Sequence, residues 1–213
     1  MTWRKSSHEL LYDASMHRST LPPHLPREIS REALAALPLK RYEGEVVMVH
    51  SRAALERAVE DLHAERVVGW DTETRPAFRP GESYLPSVVQ MATASAVYLF
   101  QPRRFDVAHE LSGFFAAAAM LKVGISVADD LKKLGRLFEG RFPEAPAGVL
   151  DAGHVAKRHG MAQTGLRNLA GIFLGVRVGK GPKTTNWAAT HLTDAQVAYA
   201  ATDAWICREL YLR

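Results

Sequence analysis

A single cysteine, Cys207, stands in a chain of 213 residues. No intramolecular disulfide is therefore possible, and no cysteine-built zinc site can form. Cys207 falls within an alanine-rich closing segment and reads as a small buried apolar residue. Long apolar runs are also missing: none approaches the roughly 20 residues that a membrane-spanning helix needs. The N-terminal MTWRKSSHELLYDASMHRST lacks the apolar core of a secretory signal. We therefore expect a cytoplasmic protein in a reducing compartment, with no membrane partner. Charge of one sign is in small excess: 27 Lys and Arg against 23 Asp and Glu leave +4, with a pI near 9.3. That balance tolerates a polyanionic partner without requiring one. Internal repeats and low-complexity stretches are absent as well. What is present, 47% hydrophobic and 23% charged residues, is ordinary globular composition and enough length for one substantial core.

Residues 1 to about 29 carry no sustained periodicity and include LPPHLPRE, whose prolines remove backbone donors and restrict φ. With a short helix capped by Ser30 and ended by Pro38, they make up a partly extended N-terminal arm, residues 1–44, ahead of a domain over 45–213. Within that domain VVMVH reads as a strand, and Ser51 caps a helix over RAALERAVEDLHAE with Leu55, Val59 and Leu62 at helical spacing. RVVGWDTE, SVVQMAT and AVYLFQ read as strands, the last two paired as a hairpin. A helix over DVAHELSGFFAAAAM, a strand LKVGIS and a helix over ADDLKKLGRLF follow. The remainder reads as helical: GVLDAGHVAKRHG, TGLRNLAGIFLG and the closing TDAQVAYAATDAWICRELYLR. Strands first and helices later give a mixed α/β domain on one central sheet.

Three places carry carboxylates in patterns that suggest chemistry. On the strand RVVGWDTE, alternation puts Asp71 and Glu73 on one face and Trp70 and Thr72 on the other. Two like charges so close resist desolvation and call for a compensating cation, although a lone D-x-E also describes two solvated acids at an exposed strand end. In KVGISVADDLKKL, Asp129 and Asp130 open a helix, where either can serve as a cap. Asp130 is the one set inward with Leu131 and Leu134. In the closing helix, Tyr199 and Asp203 are four apart and share a face, and alanines at 198, 200, 201 and 204 allow close approach to a sheet. A core tyrosine beside a surface aspartate would produce the same spacing.

Taken in order, D-T-E on a strand, D-D-L-x-x-L after a second strand and Y-A-A-T-D-A on a terminal helix resemble the three motifs of the DEDD 3′–5′ exonuclease superfamily. The tyrosine places the resemblance in its DEDDy branch, the ribonuclease D and Werner-type exonuclease domains; the histidine variant would need its histidine where this chain has Ala198. Tyr84, Gln90, L-R-N-L-A-G-I-F-L-G and K-x-x-x-x-x-N-W also appear in sequence, so that the likeness spans about residues 45 to 213. One departure is Thr185-Asn186-Trp187, where the family usually has Ser-Asp-Trp or Ser-x-Trp.

The resemblance implies an RNase H-like (DnaQ-like exonuclease) fold, a mixed central sheet with flanking helices. It further implies that Asp71, Glu73, Asp130 and Asp203 bind two divalent metal ions, with Asp71 bridging them. An oxygen-only donor set suits Mg²⁺ or Mn²⁺ rather than zinc. Tyr199 would orient the attacking water, since a phenol with an ordinary pKa near 10 is a poor base at neutral pH. The substrate would be a single-stranded or frayed 3′ end, with nucleoside 5′-monophosphates released. Thr74 would act as a wedge beside Glu73, and Tyr84 and Trp187 would be stacking platforms or, equally, ordinary packing residues. Arg75 and Arg79, and Lys180 and Lys183 in GKGPKTTNW, are cations placed to track phosphates, or simply solvated loop charges. Gln90 is expected to satisfy buried backbone groups. The glycine in KVGIS resembles the Werner-type pattern and the helical tail resembles ribonuclease D, which together put DNA only slightly ahead of RNA. A catalytically silent nucleic-acid-binding module, or a small-molecule phosphohydrolase with the same metal chemistry, would share these features.

Overall fold

The computed structural model describes residues 21–22, 24–77, 79, 81–181 and 185–213. Its frame is a six-stranded sheet in the order β2-β5-β4-β3-β6-β7, built from β2 (Glu45–Val49), β3 (Val67–Thr74), β4 (Pro86–Ala92), β5 (Ala96–Phe100), β6 (Leu121–Gly124) and β7 (Val149–Asp151). The β3-β4 and β4-β5 pairs are antiparallel; β2-β5, β3-β6 and β6-β7 are parallel. The sheet is therefore mixed, as the alternating patterns require.

Period-two alternation sorts the side chains onto two cores. Val68 and Trp70 of β3, Val89 and Met91 of β4, and Tyr98 and Phe100 of β5 meet helices α2 (Arg52–Ala64), α3 (Ala108–Ala116) and α4 (Ala128–Leu137) through Leu55, Leu62, Leu111, Phe114, Phe115 and Leu134. Val88, Ala92, Val97 and Leu99 face the other way, onto Ala200, Ala201 and Ala204 of the closing helix α7 (Asp194–Leu212). Small residues bring α7 very close to β3. A Cβ added at Gly69 would stand 2.0 Å from the Ala204 carbonyl oxygen and 2.6 Å from the Arg208 amide nitrogen. Arg208 fastens the same crossing, its Nε donating to the Val67 carbonyl at 3.2 Å and its guanidinium pairing with Glu65 at 3.3 Å.

Helix starts follow the expected caps. Ser30 accepts from the Ala33 amide at the head of α1 (Arg31–Ala36) and Ser51 from the Ala54 amide at the head of α2. Thr193 and Gln196 form a reciprocal capping box on α7.

Three readings of the later chain are corrected. GVLDAGHVAKRHG is not one helix: its first residues pair with β6 as β7, and helix α5 (Ala152–Arg158) begins only after Asp151. TGLRNLAGIFLG forms the short helix α6 (Leu166–Leu169), which widens into a π-helical turn over Ala170–Leu174 and stops at Gly175, φ 66°. Gly171 in that turn lies against α1, where a Cβ would come 2.7 Å from Leu34 Cδ1. The helix expected over DVAHELSGFFAAAAM is confined to α3. A two-residue parallel ribbon, β1 (Leu39–Lys40) with β8 (Arg177–Val178), joins the segment before residue 45 to the segment after α6. The described part of that early segment lies against the domain, with the Tyr42 amide donating to Thr202 Oγ1 at 3.0 Å and the Ile29 amide to Gln163 Oε1 at 3.0 Å.

Lys122 lies fully buried in β6, its ammonium donating to the carbonyls of Ala117 and Ala147. Burial lowers its pKa to about 8, from an ordinary 10.5. Below pH 8 both folded and unfolded chains hold the proton; between 8 and 10.5 only the unfolded chain does, so folding stability rises with pH across that window. Urea unfolding should show a gain of roughly 2–3 kcal/mol from pH 8 to 10.5. The gain should be missing in Lys122→Met, and an equal rise in that variant would remove Lys122 as the cause.

Candidate active site

The open end of β3 gathers the acids that the sequence singles out. Asp71 and Glu73 share the α7 side of the strand with Gly69, and a register shift at Glu73/Thr74 marks where β3 parts from β4. From α7 comes Asp203, only 5% exposed, sharing a side-chain hydrogen bond with Tyr199 one turn earlier. From the first turn of α4 comes Asp130, whose Oδ1 accepts from the Thr72 hydroxyl. The Thr72 amide donates in turn to Asp71 Oδ1 at 2.8 Å. The middle residue of D-T-E thus ties two of the acids to one strand position.

Burial first, and neighbouring charge second, governs the ionisation of these groups. Burial, then the Asp203 and Asp130 charges, hold the Asp71 carboxyl well above the usual carboxylate range. Burial pushes Glu73 up to about 9, with Asp71, Asp203 and Asp130 adding to the rise. Asp203 rises to about 7 through burial, partly offset by the Tyr199 hydrogen bond and the positive Arg167. Burial also raises Asp130. The Tyr199 phenol is raised by burial and by Asp203, Glu73 and Asp71, so it stays protonated at neutral pH.

Such an assembly fits a hard divalent cation. Its donors are carboxylate oxygens only, every acid is penalised for its charge, and Asp203 Oδ1 is buried with no hydrogen-bond partner. Among the described residues no three His, Cys, Asp or Glu side chains are already drawn together as a ligand cage.

The other named residues divide. Arg75 lies over the Tyr84 ring, its Cζ 4.7 Å from the centroid, so the two are brought together beside Thr74 at the strand end. Arg79 and Lys180 are exposed. Lys183 lies outside the described residues. Trp187 is corrected: it is 4% exposed and packed with Val88, Leu99 and Ala200, with its ring centroid 6.3 Å from that of Tyr199, so its faces serve the core and not a base. Gln90 is corrected too. It sits opposite Asp71 in the β3-β4 register, fully buried, and neither amide atom has a partner.

Some contributors were not read from the sequence. Arg167, a cation that offsets Asp203, donates from Nε to the Val178 carbonyl at 3.3 Å; its signal was one charge in the apolar pattern LRNLAGIFL. Asp151 accepts from the His154 amide at 3.0 Å and from the Val127 amide at 3.3 Å. It thereby holds the turn containing Ser126, φ 60°, from which α4 and Asp130 start. An aspartate just before an amphipathic run was the available sign.

Comparison with known proteins identifies relatives of this chain. A family model described as 3′–5′ exonuclease matches residues 46–213. Ribonuclease D of Acidiphilium cryptum is 31% identical over 172 residues, covering 78% of this chain and 42% of that protein. The mouse bifunctional 3′–5′ exonuclease/ATP-dependent helicase WRN is 28% identical over 178 residues, covering 79% of this chain and 12% of that protein. Of solved structures, the Aedes aegypti Nibbler EXO domain superposes with a TM-score of 0.70 at 22% identity, covering 83% of this chain and 89% of that one. Escherichia coli RNase D gives 0.69 at 22% identity, covering 79% and 44%. These superpositions show an RNase H-like exonuclease fold, and the chain spans less than half the length of the curated relatives just named. With a family match running from β2 through α7 over the strand, helix and acids described above, this chain belongs to the 3′–5′ exonuclease family.

Proposed function

We propose that the chain is a metal-dependent nuclease that shortens nucleic acid from single-stranded or frayed 3′ ends, releasing nucleoside 5′-monophosphates. The observation that carries this reading is the convergence of Asp71, Glu73, Asp130 and Asp203 with raised pKa values around Tyr199. A structural role gives no reason to bury four mutually repelling acids, whereas phosphodiester hydrolysis does. Asp71, Glu73, Asp130 and Asp203 would hold two Mg²⁺ or Mn²⁺ ions, which when bound supply an activated water and stabilise the leaving oxygen.

The chain's own groups do the rest. Thr72 holds Asp130 and Asp71 in place through its hydroxyl and amide. Tyr199, kept protonated, orients the attacking water as a hydrogen-bonding group and does not remove its proton. Arg75 and Tyr84 form a stacked pair at the strand end that can receive a terminal base and its phosphate, and Lys180 is a further exposed cation for the backbone. For the sugar, relatives named ribonuclease D set RNA beside the DNA expected from KVGIS.

The test is a time course on 5′-labelled single-stranded DNA and RNA of one sequence in Mg²⁺, Mn²⁺ or EDTA. A ladder shortening from the 3′ end, dependent on metal and absent in Asp71→Ala, is expected. Tyr199→Phe should lower turnover about 10²-fold or more while leaving metal binding within about twofold. Binding without shortening in any metal would point instead to a silent nucleic-acid-binding module. Hydrolysis of mononucleotide esters as readily as oligomers would mark a small-molecule phosphohydrolase.

A further inference from the structure

Gly181 touches Tyr199, the phenol set among the acids. A Cβ placed on it would stand 2.5 Å from Cζ of Tyr199, 2.7 Å from Cε2 and 2.8 Å from Cε1. Separations under about 3 Å are far inside van der Waals contact, so this position in GKGPKTTNW has no room for a side chain while Tyr199 keeps its place. The atoms met are all at the hydroxyl end of the ring, the end that faces Asp203 and Glu73 electrostatically. Further along the same stretch Trp187 packs near the Tyr199 ring, and that tryptophan belongs to the core under α7. The ring is thus bounded by the chain at Gly181 as well as by its own helix.

We propose that Gly181 is a positioning residue for Tyr199: its missing side chain lets the backbone seat against the phenol and so sets where the hydroxyl stands relative to Asp203. The inference rests on the reading of Tyr199 given above. The contact also accounts for a glycine in a stretch otherwise useful for its lysines. No positive φ demands glycine here, so the requirement is one of space. A methyl group would displace the ring, because the free end of a side chain yields more easily than backbone. A displacement of about 1 Å at a group that orients the reacting water can cost on the order of 100-fold.

The experiment compares wild type, Gly181→Ala, Tyr199→Phe and the double variant of the full chain on a single-stranded oligonucleotide with Mn²⁺. Gly181→Ala should lower kcat about 30- to 100-fold, with KM and the half-activating Mn²⁺ concentration each within about twofold. Added to Tyr199→Phe, it should cost less than about a further twofold, since no hydroxyl remains to misplace. Labelling the six tyrosines with 3-fluorotyrosine should show the resonance missing in Tyr199→Phe shifted in Gly181→Ala, in the absence of metal and substrate. An unfolding temperature within about 3 °C of wild type is expected, because the ring and not the fold takes the clash. A rise in KM, losses that add in the double variant, an unmoved fluorine resonance or a larger drop in unfolding temperature would each overturn the positioning role. Unimpaired turnover in Tyr199→Phe itself would overturn the reading of Tyr199, a result distinguishable from normal turnover in Gly181→Ala alone.

Discussion

Asp71→Asn should abolish turnover and, in EDTA, make the protein more stable. The two effects have one origin. Burial raises all four acids, and the charges of Asp203 and Asp130 add to the cost of ionising Asp71, as those of Asp71, Asp203 and Asp130 do for Glu73. Glu73 and Asp203 are raised to about 9 and about 7, against ordinary values of 4.5 and 3.8. Near pH 3 and below, folded and unfolded chains are both largely protonated at these positions, and the folded state bears little charge penalty. As pH climbs through the folded values, the unfolded chain has already released its protons while the folded one must still give them up, so stability falls. Between about pH 4 and 9 the metal-free protein should lose several kcal/mol, on the order of what the two shifts allow once their coupling is discounted. Neutralising Asp71 removes one source of repulsion and should return about 1–3 kcal/mol at about pH 8 in EDTA. Turnover should fall at least about 10³-fold, since a carboxylate of the proposed metal-binding set is gone. Urea titrations with EDTA and with Mn²⁺, beside the 3′-shortening assay, read both effects. In wild type the added metal should flatten the loss with pH. An Asn variant less stable than wild type in EDTA at that alkaline pH would show that Asp71 is held by favourable contacts and not by a missing cation.

Why the acids could be found from the sequence, and much of their surroundings could not, follows from the range of the forces involved. Period-two alternation along VVGWDTE and the four-residue spacing of Tyr199 and Asp203 are local rules, so the shared faces of Asp71 with Glu73 and of Tyr199 with Asp203 were legible. The order of the motifs supplied the third element, Asp130. Thr72 falls on the opposite face by the same alternation, yet its bond to Asp130 depends on α4 ending its approach beside that strand position. Strand β7 is three residues long and exists because β6 offers a parallel edge for Val149–Asp151 to complete; no pattern within GVLDAGHVAKRHG encodes that edge. Trp187 could be a platform or a core residue on composition alone, and only the seat under α7 decides for the core. Gln90 is legible as a polar residue in an apolar strand, but that both amide atoms lack partners depends on which groups face it across β3 and α7. Gly181 and Gly69 look alike in a sequence and differ in what they admit: the side-chain end of a tyrosine at one, main chain at the other.

That difference makes Gly69→Ala the larger structural perturbation. The added methyl would meet the Ala204 carbonyl at 2.0 Å and the Arg208 amide at 2.6 Å, atoms of a helix backbone that cannot turn aside as a rotamer can. Relief requires α7 to lift from β3, which opens the seam where Val88, Ala92, Val97 and Leu99 pack on Ala200, Ala201 and Ala204. It also lengthens the bond from Arg208 Nε to the Val67 carbonyl. A loss of at least about 3 kcal/mol in unfolding free energy is expected, at the upper end of what overpacking costs. Gly165→Ala is the control for the clash: nothing lies within 4 Å of the point its methyl would occupy and its φ is −77°, so its cost should stay near that of an alanine at a helix N-cap, about 1 kcal/mol. Because Asp203 rides on α7 and Asp71 on β3, lifting the helix separates the two acids as well. Activity per folded molecule should therefore fall at least about tenfold under conditions where Gly69→Ala is still folded, with the half-activating Mn²⁺ concentration raised. Loss of stability alone, with folded molecules fully active and unchanged in their metal requirement, would show that the sheet bends to keep Asp71 beside Asp203 when the helix moves.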